Sequence, residues 1–170
     1  MVYFNGFSLH NEETLFSDYC IESKYAVAGF SYGAQKAFEY VYKSKERIEK
    51  LVLFSPAFFQ TEKSSFTRTQ LHYFKADQNA YVKQFLKNVS YPSSMDLKDY
   101  LQPGTKEDLE KLLSYTWERS KIEEVLKRGT SIEVFLGEKD KIISWQDALD
   151  FFTPLVTVYT MKNRGHLLKI

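Results

Sequence analysis

Short apolar runs alternate along the chain with segments in which apolar residues recur at helical spacing. Apolar runs of this length are typical of buried strands, and strands that alternate with helices indicate a parallel sheet with right-handed crossovers. The sequence therefore predicts an α/β fold with about five parallel strands. We predict strands at residues 2–4, 24–30, 51–54, 132–136 and 155–159, and helices at residues 10–18, 33–46 and 145–153.

Residues 60–128 interrupt this alternation with a predicted helical insertion. Asp77 is suited to cap a helix whose apolar residues follow at helical spacing, Thr105 and Asp108 have capping-box spacing, and Gly129 is suited to end the last helix. An insertion of this length is either an additional structural layer or a lid. We favour a lid, because the insertion begins at the carboxyl end of a strand, where open α/β sheets bind their ligands.

The pentapeptide Gly29-Phe30-Ser31-Tyr32-Gly33 connects a predicted strand to a predicted helix. A turn this tight leaves no room for side chains at its first and last positions, and it lifts the central hydroxyl off the end of the sheet. The same residues also occur in ordinary turns between a strand and a helix. With both flanking elements predicted, we interpret Ser31 as a nucleophile.

A serine hydroxyl needs a histidine that takes its proton and a carboxylate that fixes the histidine tautomer. Asp140 follows the fourth predicted strand, and His166 follows the fifth. Because the carboxyl ends of parallel strands share one edge of a sheet, we predict that Ser31, Asp140 and His166 form a catalytic triad. Asp147 and Asp150 are rival acids on the helix predicted at residues 145–153.

The sequence also allows predictions for the other two histidines and for the donors of an oxyanion site. We expect His10 to be a surface or loop residue, whereas His72 either contacts substrate or is solvated. Acyl transfer needs two backbone donors for the oxyanion. We predict that these are the amides of Tyr32, which follows the nucleophile, and of Phe7, in the turn after the first strand.

Four segments together resemble the motif set of the α/β-hydrolases: Phe4-Asn5-Gly6-Phe7, Gly29-Phe30-Ser31-Tyr32-Gly33, Gly137-Glu138-Lys139-Asp140 and Gly165-His166. The short chain and residues 66–88 are similar to the compact pimeloyl-[acyl-carrier protein] methyl ester esterases of biotin synthesis, of the BioV and BioG kind. The resemblance implies a minimal α/β-hydrolase domain over residues 1–170, with residues 60–128 as its lid. It implies hydrolysis of the methyl ester of a pimeloyl chain on acyl-carrier protein, without a cofactor or metal.

The sequence also departs from the pattern of the larger α/β-hydrolases. Ser31 comes only 24 residues after Phe7, and four residues follow His166 without a final helix. Asn5 occupies a position where the larger relatives commonly have histidine; we expect this change to be tolerated, because the donor is a backbone amide. A truncated sheet makes a homo-oligomer plausible without establishing one.

The predicted lid carries an excess of basic residues. Between residues 60 and 91 there are five lysines and arginines but only two acidic residues. Since such carrier proteins are acidic, the resemblance implies a docking role for Arg68, Lys75, Lys83 and Lys87, although a solvated helix face has the same charges. Aromatic residues of this region either line an acyl channel or form the core of the lid: Phe58, Phe59, Phe66, Tyr73 and Phe74.

Composition narrows the function classes further. The formal net charge of +1 indicates neither a nucleic-acid nor a membrane partner, and no apolar run is long enough to span a bilayer. The single cysteine, Cys20, is expected to be a small buried residue in a reducing compartment, and the start of the chain does not resemble a signal peptide, so we expect a cytoplasmic protein. Two alternatives stay open: an esterase or thioesterase for small or lipid acyl groups without a protein partner, and a non-catalytic binding protein with a hydrolase fold.

Overall fold

The computed structural model describes residues 1–19 and 23–170, and its centre is a parallel sheet. The strands are hydrogen-bonded in chain order, each to the next, and all pairs are parallel. This arrangement confirms the predicted α/β fold with five parallel strands; Cys20 lies outside the described residues. The strands are β1 Val2–Phe4, β2 Ala26–Phe30, β3 Lys50–Phe54, β4 Ser131–Gly137 and β5 Thr157–Met161.

The last strand begins two residues later than predicted. The amides of Leu155 and Val156 both donate to the carbonyl of Phe152, so these residues belong to the turn that precedes β5. Their side chains pack against the hydrophobic core from that turn. Apolar residues that fill the core from a turn cannot be distinguished by sequence from the start of a strand.

Helices cover both faces of the sheet. In β3, Leu51 and Leu53 belong to one hydrophobic cluster, whereas Val52 and Phe54 belong to a second cluster on the opposite face. Because both faces are buried, the strand is continuously apolar rather than alternating. The first cluster includes residues of α1 Tyr32–Lys43, α5 Arg119–Lys127 and α6 Trp145–Phe152, and the second includes residues of the 3₁₀ helix Glu12–Tyr19.

The segment between β3 and β4, which we call the insert (residues 60–128), is helical as expected. Asp77 caps α3 by accepting a hydrogen bond from the Ala80 amide, and Thr105 and Asp108 form the predicted capping box of α4. α2 packs against α3 and α4, whereas α5 packs against α1 in the helix layer of the sheet. The helices are α2 Ser64–Ala76, α3 Gln78–Ser90, α4 Lys106–Ser114 and α5 Arg119–Lys127, after which Gly129 takes a positive φ of 89°.

No helix within the described part of the chain is both long and apolar enough to cross a membrane.

Candidate active site

Ser31 lies on the turn between β2 and α1, in a conformation that few residues adopt. Its φ is 54°, in the left-handed region that is unfavourable for residues with a side chain. The flanking glycines are required by space: a Cβ on Gly29 would lie 2.3 Å from the Gly33 carbonyl oxygen, and a Cβ on Gly33 would lie 1.9 Å from that of Phe4. The turn therefore presents the serine hydroxyl at the carboxyl end of the sheet.

Ser31, His166 and Asp140 form a continuous chain of hydrogen bonds. The distance from His166 Nε2 to Ser31 Oγ is 2.8 Å, and that from His166 Nδ1 to Asp140 Oδ2 is 2.6 Å. The other oxygen of Asp140 accepts hydrogen bonds from the amides of Ile142 at 2.7 Å and Ile143 at 3.1 Å. The carboxylate is thus held by two backbone donors on one side and turns its second oxygen towards the imidazole.

The loop that carries His166 is fixed from two directions. The Ser55 hydroxyl, at the end of β3, donates to the His166 carbonyl at 2.6 Å. The amide of Leu167 donates to the carbonyl of Val89 in α3, at 3.1 Å. These contacts attach the histidine to both the sheet and the insert. Sequence reasoning missed the role of Ser55, because it indicated only the end of a strand there.

The turn after β1 leaves the Phe7 amide directed away from the rest of that turn. The Gly6 carbonyl accepts from the Leu9 amide at 3.3 Å. Since the carbonyl and the N–H of a trans peptide point in opposite directions, the Phe7 N–H points the other way. Neither this amide nor that of Tyr32 donates a hydrogen bond to any described residue. Both donors predicted for an oxyanion are therefore without a competing acceptor in the described part of the chain.

Comparison with known proteins identifies the architecture. No protein-family model matches the sequence, and no curated protein matches it either. Solved structures match over most of the chain. They include MenH from S. aureus (12% identity, 97% of this chain and 85% of that one, TM-score 0.60), carboxylesterase CesB from Bacillus subtilis (20%, 84% and 53%, 0.57) and bromoperoxidase from Bacillus anthracis (18%, 84% and 60%, 0.60).

The chain has the α/β-hydrolase fold. It spans little more than half the length of several of these structures, such as the 53% of CesB and the 59% of the esterase EaEST from Exiguobacterium antarcticum. At identities of 20% or less the likeness concerns the fold. The chemistry of Ser31, His166 and Asp140 therefore rests on their own geometry.

The other histidines and the alternative acid Asp147 lie elsewhere in this α/β-hydrolase fold. The ring of His10 contacts the Tyr100 carbonyl at 3.0 Å, and His72 is exposed on α2. Asp147 accepts a hydrogen bond from the Thr61 hydroxyl at 2.7 Å. The structure brings none of these side chains into the hydrogen-bond chain of Ser31.

The reacting groups are enclosed. Ser31 is 1% exposed, and His166 is fully buried. The ring of Phe7 is also buried; it packs against Phe74 of α2 at 6.2 Å and Phe85 of α3 at 5.5 Å between ring centroids. The serine hydroxyl that the turn was expected to lift off the end of the sheet is therefore enclosed, and aromatic residues of the insert pack against Phe7 in the turn after β1.

A cavity of about 530 Å³, the apolar groove, lies among α2, α3 and α4. Lys141 and Ile142, which follow Asp140 in the chain, also line it. Phe66, Gln70 and Tyr73 line it from one face of α2, since residues three and four apart are neighbours on a helix. Phe59 stacks on Phe66 at the same place, with ring centroids 5.7 Å apart.

The remaining aromatic residues predicted for substrate binding do not line the apolar groove. Phe58 is buried against Phe151 and Phe152 of α6, and Phe74 packs between Phe7 and Tyr81. Both side chains face the core because the chain turns inward after β3 and because α2 is amphipathic. Of the two interpretations that the sequence allowed, the structure places these two rings in the core.

The basic residues of the insert occupy two different surfaces. Arg68 and Lys75 are exposed and share the face of α2 that points away from the apolar groove. Lys83 and Lys87 line a second cavity, of about 890 Å³, between α3 and residues 94–103. We call this cavity the basic groove, because Lys98 also lines it and Asp96 is the one acidic residue among the described residues that line it. Apolar side chains on its walls include Val82, Leu86, Leu97 and the exposed Met95 and Leu101.

Glu12 is a buried carboxyl group next to the turn after β1. Its side chain is fully buried, and Oε1 accepts a hydrogen bond of 2.6 Å from the Gly6 amide. Burial raises the pKa of Glu12, although the hydrogen bond from Gly6 acts in the opposite direction. Nothing in the sequence indicates this contact, since Glu12 and Glu13 have the acidic character of an ordinary helix start.

Glu12 is expected to make stability depend on pH. Because its pKa is raised in the folded state, the folded protein binds more protons than the unfolded chain between the usual and the raised pKa. Its contribution to the free energy of unfolding is therefore complete below the usual glutamate pKa and lost as the pH rises through the raised one. The charged and titratable groups that act with it are Tyr3 of β1, Glu13 of the same helix and Lys36 of α1.

Urea unfolding of the wild type and of Glu12→Gln between about pH 4 and pH 8 measures this effect, since the range begins near the ordinary glutamate pKa. The stability of Glu12→Gln relative to the wild type should increase with pH. A constant difference would show that folding does not change the pKa of Glu12.

Proposed function

We propose that this protein is a serine carboxylesterase. The observation that carries the proposal is the hydrogen-bond chain from Ser31 through His166 to Asp140, with distances of 2.8 Å and 2.6 Å. Each group lies at the carboxyl end of a strand, on a turn or loop held by backbone contacts. The likeness in fold to carboxylesterases such as CesB supports the same class of reaction.

In the proposed mechanism, Ser31 Oγ attacks the carbonyl carbon of an ester while His166 Nε2 takes its proton. Asp140 accepts the Nδ1 hydrogen bond, keeps the imidazole in the required tautomer and stabilises the imidazolium. The amides of Phe7 and Tyr32 donate to the oxyanion of the tetrahedral intermediate. His166 then protonates the departing alcohol, and a water molecule activated by His166 hydrolyses the acyl-serine to a carboxylic acid.

The insert acts as a lid in this proposal. Ser31 is too enclosed to meet an ester unless part of the insert moves. The end of α3 is attached to the His166 loop through Val89 and Leu167, so the motion involves α2 and the start of α3 rather than that end. Separation of Phe74 and Phe85 from Phe7 would open a route to Ser31.

The proposed substrate is the methyl ester of a pimeloyl chain carried by acyl-carrier protein, and the products are the free acid and methanol. The apolar groove supports an acyl chain as ligand, since its volume of about 530 Å³ is within the usual range for small-molecule sites. Phe59, Phe66 and Tyr73 would contact the methylene groups. Hydrolysis turns the neutral ester end into a carboxylate, which is poorly accommodated among apolar side chains and promotes product release.

We place the carrier protein on the basic groove. This groove and the apolar groove lie on either side of α3, and Ala80 and Gln84 border both. A carrier protein bound in the basic groove would therefore be separated by α3 alone from its acyl chain in the apolar groove. Lys83, Lys87 and Lys98 would attract the acidic carrier, and the apolar walls between them would contact its uncharged residues.

The double substitution Lys83→Glu, Lys87→Glu is expected to raise KM for methyl-pimeloyl-carrier protein by about tenfold or more, because reversal of two charges makes the surface repel an acidic partner. kcat/KM for p-nitrophenyl butyrate should change less than twofold, since this small ester makes no contact with the basic groove. Added salt should slow only the carrier-bound reaction, because surface charges are screened over about 10 Å at 0.1 M.

The matched variant is Arg68→Glu, Lys75→Glu, which reverses two charges on the outer face of α2. A selective loss in this variant, with none in the α3 variant, would move the carrier protein to α2. Equal losses on both substrates would mean that the lysines maintain the structure of the insert.

A second candidate is a general esterase for free acyl esters. It is favoured by the apolar groove, which contains no feature that requires a carrier-bound chain. The deciding assay compares kcat/KM for methyl-pimeloyl-carrier protein, methyl pimelate and p-nitrophenyl butyrate. A preference of at least tenfold for the carrier-bound ester supports the first candidate, and equal or greater values for the free esters support the second.

A further inference from the structure

A buried carboxyl group binds the turn after β1 from the interior of the protein. Glu12 is fully buried, yet it lies in a 3₁₀ helix on the surface of the sheet and directs its carboxyl group inward. Oε1 accepts from the Gly6 amide at 2.6 Å and is 3.5 Å from the Tyr3 hydroxyl, whereas Oε2 has no hydrogen-bond partner among the described residues. Burial of a carboxyl group with one unpartnered oxygen is unfavourable.

The contact with Gly6 restrains the peptide that precedes the predicted oxyanion donor. The Gly6 amide is fixed by Glu12, and the Gly6 carbonyl is fixed by the Leu9 amide at 3.3 Å. Gly6 is thereby held on both sides, although glycine is the residue with the greatest backbone freedom. The N–H of Phe7, in the peptide between Gly6 and Phe7, can then take only one direction.

We propose that Glu12 is a positioning residue: by binding the Gly6 amide, its carboxyl group holds the Phe7 amide in the orientation that stabilises the oxyanion. This inference rests on the proposed esterase function. It explains why an unfavourable buried carboxyl group occupies a position where an apolar residue would pack without that cost. A preorganised donor is effective because it needs no reorganisation when the oxyanion forms.

Two conservative substitutions of Glu12 test separately the length of its side chain and its charge. Glu12→Asp keeps the charge but is one methylene shorter, so it no longer reaches Gly6. Glu12→Gln keeps the reach and an acceptor oxygen but removes the charge. With p-nitrophenyl butyrate, kcat of Glu12→Asp should fall about 10- to 100-fold at nearly unchanged KM, while Glu12→Gln should stay within about threefold of the wild type, since loss of an oxyanion donor costs about 10²–10³ in comparable enzymes.

A trifluoromethyl ketone provides a second measurement. Ser31 Oγ forms a bond to its carbonyl carbon, the serine proton moves to His166, and the carbonyl oxygen becomes an oxyanion. Its affinity should fall in Glu12→Asp by the same factor as kcat, because both depend on the Phe7 donor. The affinity of an uncharged, unreactive amide analogue should not change.

Glu13→Asp, on the same helix, is the matched control and should behave like the wild type. All rates are expressed per active site titrated with a fluorophosphonate, so that partial unfolding lowers the number of sites but not kcat. Wild-type kcat in Glu12→Asp, a larger loss in Glu12→Gln than in Glu12→Asp, or unchanged affinity for the ketone would each overturn the positioning role. Retained turnover in Ser31→Ala would instead overturn the esterase function, so the two failures are distinguishable.

Discussion

Replacement of Ser31 by alanine is expected to lower ester turnover by about 10⁴-fold or more while the protein remains folded. Alanine cannot attack a carbonyl, and the loss of a nucleophile in comparable serine hydrolases is of this size or larger. The backbone conformation at φ 54° is equally unfavourable for serine and alanine. The substitution removes the hydrogen bond to His166 from a buried site, so we expect a decrease in Tm of a few degrees.

The measurement is kcat for p-nitrophenyl butyrate, together with thermal unfolding followed by circular dichroism. Ser114→Ala, at the exposed end of α4, is the matched control and should retain full activity. A fluorophosphonate probe should label the wild type and the control but not Ser31→Ala. A folded Ser31→Ala protein that still turns over ester at the wild-type rate would remove the nucleophile assignment.

Much of the fold could be predicted because its signals are local. Strands buried on both faces are continuously apolar, and the caps of α3 and α4 depend on residues within three positions of each other, such as Asp77 and Ala80. The approach of Ser31, Asp140 and His166 also follows from local evidence, because parallel strands bring the turns after them to one edge. The hydrogen bonds among the three residues agree with that expectation.

The features that the sequence did not indicate depend on contacts between distant residues. Ser55 is 111 positions from the His166 carbonyl that it binds, and nothing around it distinguishes it from a serine that ends a strand. The packing of Phe74 and Phe85 against Phe7 is another such contact, because helical spacing does not show where the insert lies relative to the sheet. The same spacing shows that Arg68 and Tyr73 lie on different faces of α2, but not which face borders a groove.

Replacement of Asp140 by asparagine is expected to lower kcat by up to about 10⁴-fold with little effect on KM. The structure supplies a specific reason. The oxygen of Asp140 that faces Ile142 and Ile143 accepts two backbone hydrogen bonds, so an asparagine would place its carbonyl oxygen there. Its NH₂ group would then donate to His166 Nδ1 and stabilise the tautomer that has its proton on Nε2, which cannot accept the proton of Ser31.

The pH dependence of kcat and the comparison with Asp147→Asn test this reasoning. Asp147 binds Thr61 and lies on α6, so its substitution should change kcat less than threefold, as expected for the loss of one exposed hydrogen bond. In Asp140→Asn, activity should partly recover at high pH, where hydroxide can take the proton of Ser31 in place of the imidazole. A larger loss in Asp147→Asn than in Asp140→Asn would place the acid on α6. Equal and small losses would show that His166 acts without a carboxylate partner, in which case the 2.6 Å contact holds the loop after β5 rather than the tautomer.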